Sequence, residues 1–256
     1  MAATAQGATA PPPPATTRGV LEEAQVRAMF DRIAGLYDRM NSVMTAGLHH
    51  RWRARAVELA SPPPDGSALD VATGTGDLAI ALALAMGAGG EVVGSDFSTR
   101  MLELARAKAA GLDEPIRFEV ANALELPYPD DAFDVATVGF GARNFSSLER
   151  GLSEMVRVVK PGGRVVVLEI TTPTRPPLSY FFRFWFDHLV PALGRAAGDP
   201  DAYTYLPSSV RRFPGPQELA ALMWTCGLRQ VRYVLTAGGI IALHVGVVPD
   251  RVGSER

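Results

Sequence analysis

A run of small residues closes a predicted strand at Leu69-Asp70-Val71-Ala72-Thr73-Gly74-Thr75-Gly76-Asp77. Glycines in such a run let the backbone pass close beneath a ligand, where a Cβ would collide. Asp96 stands 20 residues beyond Gly76, at the end of the next predicted strand, and a carboxylate there can accept from both hydroxyls of a ribose. A nucleoside-bearing ligand is therefore expected. Gly74, Gly76 and Ala79 also satisfy the G-x-G-x-x-G/A spacing of dinucleotide sites, so the loop by itself suits NAD and S-adenosylmethionine equally. Two further features favour the sulfonium donor. Asp70, inside the strand ahead of the loop, can orient both the loop and the donor's ammonium, and Asn122-Ala123 follow the third strand, where an adenine edge would be read. Asp70 and Asp77 also fit a plainer role, capping turns and helix starts.

These positions make a site only if strands carry them to one edge of a sheet. Five short stretches rich in Val, Ile, Leu or Phe read as parallel strands: Ser67–Ala72, Glu91–Ser95, Ile116–Val120, Phe133–Val138 and Gly163–Glu169. Asp77–Met86, Ser98–Ala110 and Ser146–Val159 read as the helices between them. A helix over Pro216–Cys226, begun by proline, precedes two strands, Gln230–Leu235 and Ile241–Val247, expected to pair as a hairpin. The alternation predicts an α/β fold: a mostly parallel, seven-stranded Rossmann-like sheet with helices on both faces and an antiparallel C-terminal hairpin.

The chain has 256 residues, 47% of them hydrophobic, enough for one large α/β core. The division expected is a disordered tail over 1–19 and one domain over 20–250, with a helical cap at 20–60 and an aromatic lid insertion at 175–212. The formal net charge of −2 gives no footprint for nucleic acid. Cys226 is the only cysteine, which fits a reducing, cytoplasmic setting. The Ala-, Thr- and Pro-rich start does not read as a signal peptide, and the greasiest stretches fall short of the roughly 20 apolar residues of a membrane span. Leu178, Phe181, Phe182, Trp185, Leu189 and Leu193 follow helical spacing. They read either as core packing or as a lid that lines a tunnel or touches the inner face of a membrane. The four histidines have no metal-ligand spacing, so no metal is expected. A homo-oligomer is compatible with the sequence.

Several separated runs carry a family resemblance: Tyr37-Asp38-Arg39-Met40-Asn41-Ser42-Val43-Met44-Thr45-Ala46-Gly47-Leu48-His49-His50-Arg51-Trp52, then Gly139-Phe140-Gly141-Ala142-Arg143-Asn144, then Arg157-Val158-Val159-Lys160-Pro161-Gly162-Gly163 leading to Glu169. Tyr203-Thr204-Tyr205-Leu206-Pro207 with Ser209, and Leu235-Thr236-Ala237-Gly238 through His244, agree as well. Over most of its length the chain resembles the ubiquinone/menaquinone biosynthesis C-methyltransferase family. The resemblance implies S-adenosylmethionine as methyl donor, with contacts at Thr75, Asp96, Asn122 and Ala123, and a polyprenyl quinol, foremost demethylmenaquinol, as acceptor. Thr45 and Thr171 stand where the family usually has serine. Gly139 stands where many relatives have a serine near the donor.

Transfer of a methyl group to carbon is an in-line displacement that gains chiefly from alignment. A quinol carbon becomes nucleophilic when its hydroxyl, with an ordinary pKa of about 10, gives up its proton. The residues expected to help are Arg143, stabilising the phenolate, Asn144, orienting the ring oxygen or a water, and His49 as base, with Tyr37 a further candidate. The rival readings are a methyltransferase for another apolar acceptor such as a sterol or polyketide, a nucleotide-binding oxidoreductase, and a catalytically silent donor-binding scaffold.

Overall fold

A computed structural model describes residues 23–45, 47–189 and 200–250. Helices α1 (Glu23–Thr45) and α2 (Leu48–Ala60) precede the alternating core. The core runs β1 (Ser67–Val71), α3 (Asp77–Met86), β2 (Glu91–Asp96), α4 (Thr99–Ala109), β3 (Ile116–Val120), β4 (Phe133–Gly139), α5 (Leu148–Val158) and β5 (Val159–Ile170). Then follow α6 (Leu178–Phe184), α7 (Pro200–Arg212), α8 (Pro216–Thr225), β6 (Arg229–Thr236) and β7 (Ile241–Val247). The strand order is β3-β2-β1-β4-β5-β7-β6. The first five strands are parallel, and β7 pairs antiparallel with both β5 and β6.

The two hairpin strands differ because their sequences differ. Ile-Ala-Leu-His-Val-Gly-Val in β7 is apolar nearly throughout and takes the covered inner position. Arg-Gln-Val-Arg-Tyr-Val-Leu-Thr in β6 carries charge and forms the exposed edge. One face of the sheet packs Val92, Phe118, Val166 and Leu243 with Val57 of α2, Leu82 of α3 and Leu102 of α4. The other packs Leu69, Val93, Val138 and Val167 with Leu152 and Met155 of α5 and Leu219 and Met223 of α8. Ser98 and Ser147 start their helices by accepting from the backbone N–H of Met101 (3.1 Å) and Arg150 (3.3 Å). The strand order turns back between β1 and β4, and in open α/β sheets the crevice at such a switch point, beyond the carboxyl ends of the strands, is where ligands sit.

The aromatic segment departs from the expected stripe. After α6 the chain makes a π-helical turn at Trp185–Leu189, whose wider hydrogen-bond register breaks the α-helical face. Phe182 and Phe186 are buried with their rings 4.3 Å apart, whereas Phe181 is 54% exposed, alongside exposed Tyr180 and Phe184. So Phe181 leaves the predicted apolar face and Phe186 joins it. Leu193 lies outside the described residues, as does the side chain of Leu189. No helix among the described residues is long and apolar enough to cross a membrane.

Candidate active site

The chain leaves β1 through Ala72 and Gly74, both with positive φ (53° and 57°), before α3 begins. A Cβ on Gly74 would meet no atom within 4 Å, since this glycine borders an open cleft. Gly76 works differently. At φ 84°, a Cβ there would come within 3.0 Å of Ala105 and Phe118, so Gly76 seats the loop on α4 and the sheet and does not itself line the cleft.

Two buried carboxylates hold the loop. Asp70 accepts from the hydroxyls of Thr73 (2.6 Å) and Thr137 (2.7 Å), tying loop to β4. Asp96 accepts from the backbone N–H of Gly74 (2.8 Å) and of Ser98 (2.9 Å). Burial pushes the pKa of each up to about 6, against the pull of these hydrogen bonds. A carboxylate has about four acceptor positions, so Asp96 retains capacity for ribose hydroxyls while it anchors the loop. Asn122 accepts from the N–H of Leu124 (2.9 Å), which shapes the turn carrying Ala123. Thr75 is buried and accepts from Lys108 Nζ at 3.1 Å. Gly139 closes the cleft at the end of β4, where an added Cβ would press on Leu78 at 3.0 Å. Asp70, Gly74, Thr75, Asp96, Asn122, Ala123 and Gly139 thus line a single cleft.

Past β4, Phe140 lines the cleft with φ at 61°, a left-handed conformation that for a bulky non-glycine residue stores strain of the kind found at ligand sites. A 3-10 turn follows at Ala142–Asn144. Asn144 faces the cleft, and its Oδ1 accepts from the hydroxyl of Tyr205 on α7 at 3.1 Å. That bond leaves the amide N–H groups of Asn144 as its remaining donors. Arg143 is placed otherwise: its Nη1 pairs with Glu169 Oε1 at 2.7 Å, in an ion pair buried on both sides, and it also donates to the carbonyl of Phe140. It does not line the cleft, and its hold on Phe140 acts on a residue that does.

His49 likewise lies off the cleft. Its Nδ1 sits 2.9 Å from Arg53 Nη1 and its Nε2 3.2 Å from Ser42 Oγ. Guanidinium only donates, so Nδ1 is the acceptor and the proton sits on Nε2. The nitrogen that a general base needs is thereby committed to Arg53, and His49 links α1 to α2. Tyr37 lies in α1, and its side chain falls outside the described residues. The cleft lining also includes Phe30, Arg53, Phe97 and Met101, which sequence reasoning did not select. Phe97 had a signal in its place next to Asp96; Arg53 had none, because it arrives on a helix outside the wound core.

Above the cleft, Val26 and Met29 of α1 pack with Tyr205, with Phe30, Phe97 and Trp185 at the margin. Trp185 also joins Phe182, Phe186 and Val210 against Ile170 at the end of β5. The result is a cleft with a polar, acidic floor at the glycine loop and an aromatic lining made by Phe30, Phe97, Phe140 and Phe145. Among the described residues, no group of three His, Cys, Asp or Glu side chains converges as a metal site.

Comparison with known proteins agrees with this layout. A family model described as the ubiE/COQ5 methyltransferase family matches residues 18–248. A demethylmenaquinone methyltransferase of Thermus thermophilus is 46% identical over 222 residues, 86% of this chain and 100% of the relative. A ubiquinone/menaquinone biosynthesis C-methyltransferase of a Geobacter species is 41% identical over 224 residues, 87% of this chain and 95% of that one. Among solved structures, a SAM-dependent methyltransferase from Thermotoga maritima superposes with a TM-score of 0.61 at 20% identity, covering 86% of this chain and 98% of its own, which speaks for the fold. With the match running from ahead of α1 to the end of β7, the chain belongs to the ubiE/COQ5 methyltransferase family.

Proposed function

We propose that the protein transfers a methyl group from S-adenosylmethionine to a ring carbon of a polyprenyl quinol, with demethylmenaquinol as the favoured acceptor. The observation that carries this reading is the joining, in one cleft, of a glycine loop held by two acidic residues with an Asn144 amide and an aromatic lining of Phe30, Phe97, Phe140 and Phe145. The loop and Asp96 suit the nucleoside, Asp70 the ammonium, and the aromatic lining an apolar ring. The name of the Thermus thermophilus relative supports the same acceptor, and that of the Geobacter relative supports a quinone pathway.

S-adenosylmethionine, when bound, supplies an electrophilic methyl group on a sulfonium. The chain's own contribution is placement and electrostatics. Asp96 and Gly74 fix the nucleoside end, and Tyr205 turns the Asn144 amide so that its N–H groups can donate to a quinol oxygen, which favours loss of the hydroxyl proton. Arg143, anchored on Glu169, acts from outside the cleft by holding the carbonyl of Phe140 and so fixing the Phe140 side of the cleft. The new carbon–carbon bond forms as the carbon–sulfur bond breaks, and the ring carbon then releases its proton to restore aromaticity. Tyr180, Phe181 and Phe184, exposed on α6, offer apolar surface that suits contact with a lipid face, from which the tail would enter without crossing water.

The test is an acceptor comparison with purified protein: short-tailed demethylmenaquinol, its oxidised quinone, and a benzoquinol of equal tail length. Methylation of the reduced naphthoquinol, with little of the benzoquinol and none of the quinone, is expected. Equal rates on quinol and quinone would remove the phenolate chemistry.

A further inference from the structure

Arg53 is the cation of the cleft. It reaches the lining from α2 with a side chain only 10% exposed, and it is gripped on several sides. Nη1 lies 2.9 Å from His49 Nδ1 and 3.0 Å from Asp77 Oδ2, and the guanidinium carbon stands 6.0 Å from the Phe140 ring centroid. Both polar contacts fall on Nη1. The Nη2 and Nε edge of the fork is left for something else, and that edge is the geometry guanidinium uses to grip a carboxylate with two hydrogen bonds.

Charge points the same way. Asp77, at the first turn of α3, is shared by Arg53 and by Lys108 Nζ at 2.6 Å. Burial works to raise its pKa, yet these two cations outweigh it and hold the group below the usual carboxylate range. Asp77 divides its charge between two cations, so it does not by itself neutralise Arg53. Asp70 and Asp96 line the same cleft and suit a ligand's ammonium and ribose. An α-amino acid end needs an anion acceptor and a cation acceptor side by side, and Arg53 and Asp70 are close enough that Arg53 lowers the pKa of Asp70.

We infer that Arg53 binds the α-carboxylate of the methyl donor, and that His49, through its hydrogen bond to Nη1, is the positioning residue that aims the guanidinium. The inference rests on S-adenosylmethionine being the ligand of this cleft. It gives His49 a task compatible with its committed nitrogen, and it makes the seating of α2, and through Ser42 of α1, part of donor binding. A role for Arg53 confined to pinning α2 onto α3 would leave the Nη2 and Nε edge of this cleft-lining guanidinium without a use.

The experiment is calorimetric titration of the whole protein with S-adenosylhomocysteine and with its decarboxylated counterpart, for wild type, Arg53→Gln and Arg53→Lys. A charge-assisted hydrogen-bonded contact of this kind is worth roughly ten- to a hundredfold in affinity. Arg53→Gln should weaken S-adenosylhomocysteine by about that factor and leave the decarboxylated ligand nearly unchanged, with Arg53→Lys intermediate. His49→Ala should give a smaller loss, again confined to the ligand with the carboxylate. Equal losses on both ligands would overturn the inference and return Arg53 to a structural tether. If Arg53→Gln does not fold, Arg53→Lys, which keeps the ion pair with Asp77, decides by the same comparison. Failure of wild type to bind either ligand would instead strike the S-adenosylmethionine reading itself.

Discussion

Acidification from pH 7 to pH 5 should weaken donor binding, while the protonation of Asp70 and Asp96 by itself adds stability to the unliganded fold. Asp70 and Asp96 titrate at about 6 because burial disfavours their charge. Each therefore passes from roughly nine-tenths ionised at pH 7 to roughly one-tenth at pH 5. A ligand that needs the ionised form loses about tenfold in affinity per carboxylate, ~1.4 kcal/mol each. Stability runs the other way. The unfolded aspartate has a pKa of 3.8, so between about pH 4 and 6 the folded state binds more protons than the unfolded one. The fold is then favoured as pH falls through that window, by ~1.4 kcal/mol per group on going from pH 7 to 5. The assay pairs calorimetric titration with S-adenosylmethionine and urea unfolding of the unliganded protein at both pH values, for wild type, Asp70→Asn and Asp96→Asn. Subtracting each variant removes the histidines and surface carboxylates, which are common to all three. Each variant should lose one group's share of both effects. Pairs of curves with the same pH dependence in wild type and variants would refute the reasoning.

Other outcomes follow from single contacts. Tyr205→Phe removes the hydroxyl that sets the Asn144 amide; the transfer rate should fall by about tenfold (~1.4 kcal/mol), with donor affinity unchanged by calorimetry. Glu169→Gln leaves the buried guanidinium of Arg143 without its carboxylate, and breaking such a pair costs about 3–5 kcal/mol, to be read as a lower urea midpoint. Replacing exposed Tyr180, Phe181 and Phe184 together with serine should reduce sedimentation with phospholipid vesicles and slow turnover of long-tailed quinols, while the unfolding midpoint and the rate on short-tailed analogues hold.

The strands and the donor loop were legible because their signals are local. Asp96 is found by its distance from Gly76 along a βαβ unit, and the buried strands by unbroken apolar runs; the inner position of β7 and the exposed edge at β6 follow from composition alone. What the sequence hid depends on contacts between distant segments. Arg143 sits five residues past the predicted end of β4, but nothing in its neighbourhood tells that Glu169, at the end of β5, captures its guanidinium. His49 reads as a titratable group near the core, and only the folded α2 shows that Arg53, one turn on, occupies its acceptor nitrogen. Phe181 and Phe182 both fit the helical stripe in sequence, and only the packing of α6 against Ile170, Leu206 and Val210 shows that Phe182 is the buried one.

Carbon methylation of a reduced quinone is tested most directly by supplying S-adenosylmethionine with an isotopically labelled methyl group and short-tailed demethylmenaquinol, then locating the label by NMR. The account predicts an intact labelled methyl on the ring carbon, formed only with the reduced acceptor and greatly slowed in Asn144→Ala. Label on a quinol oxygen, or no transfer from a protein that binds the donor, would contradict it.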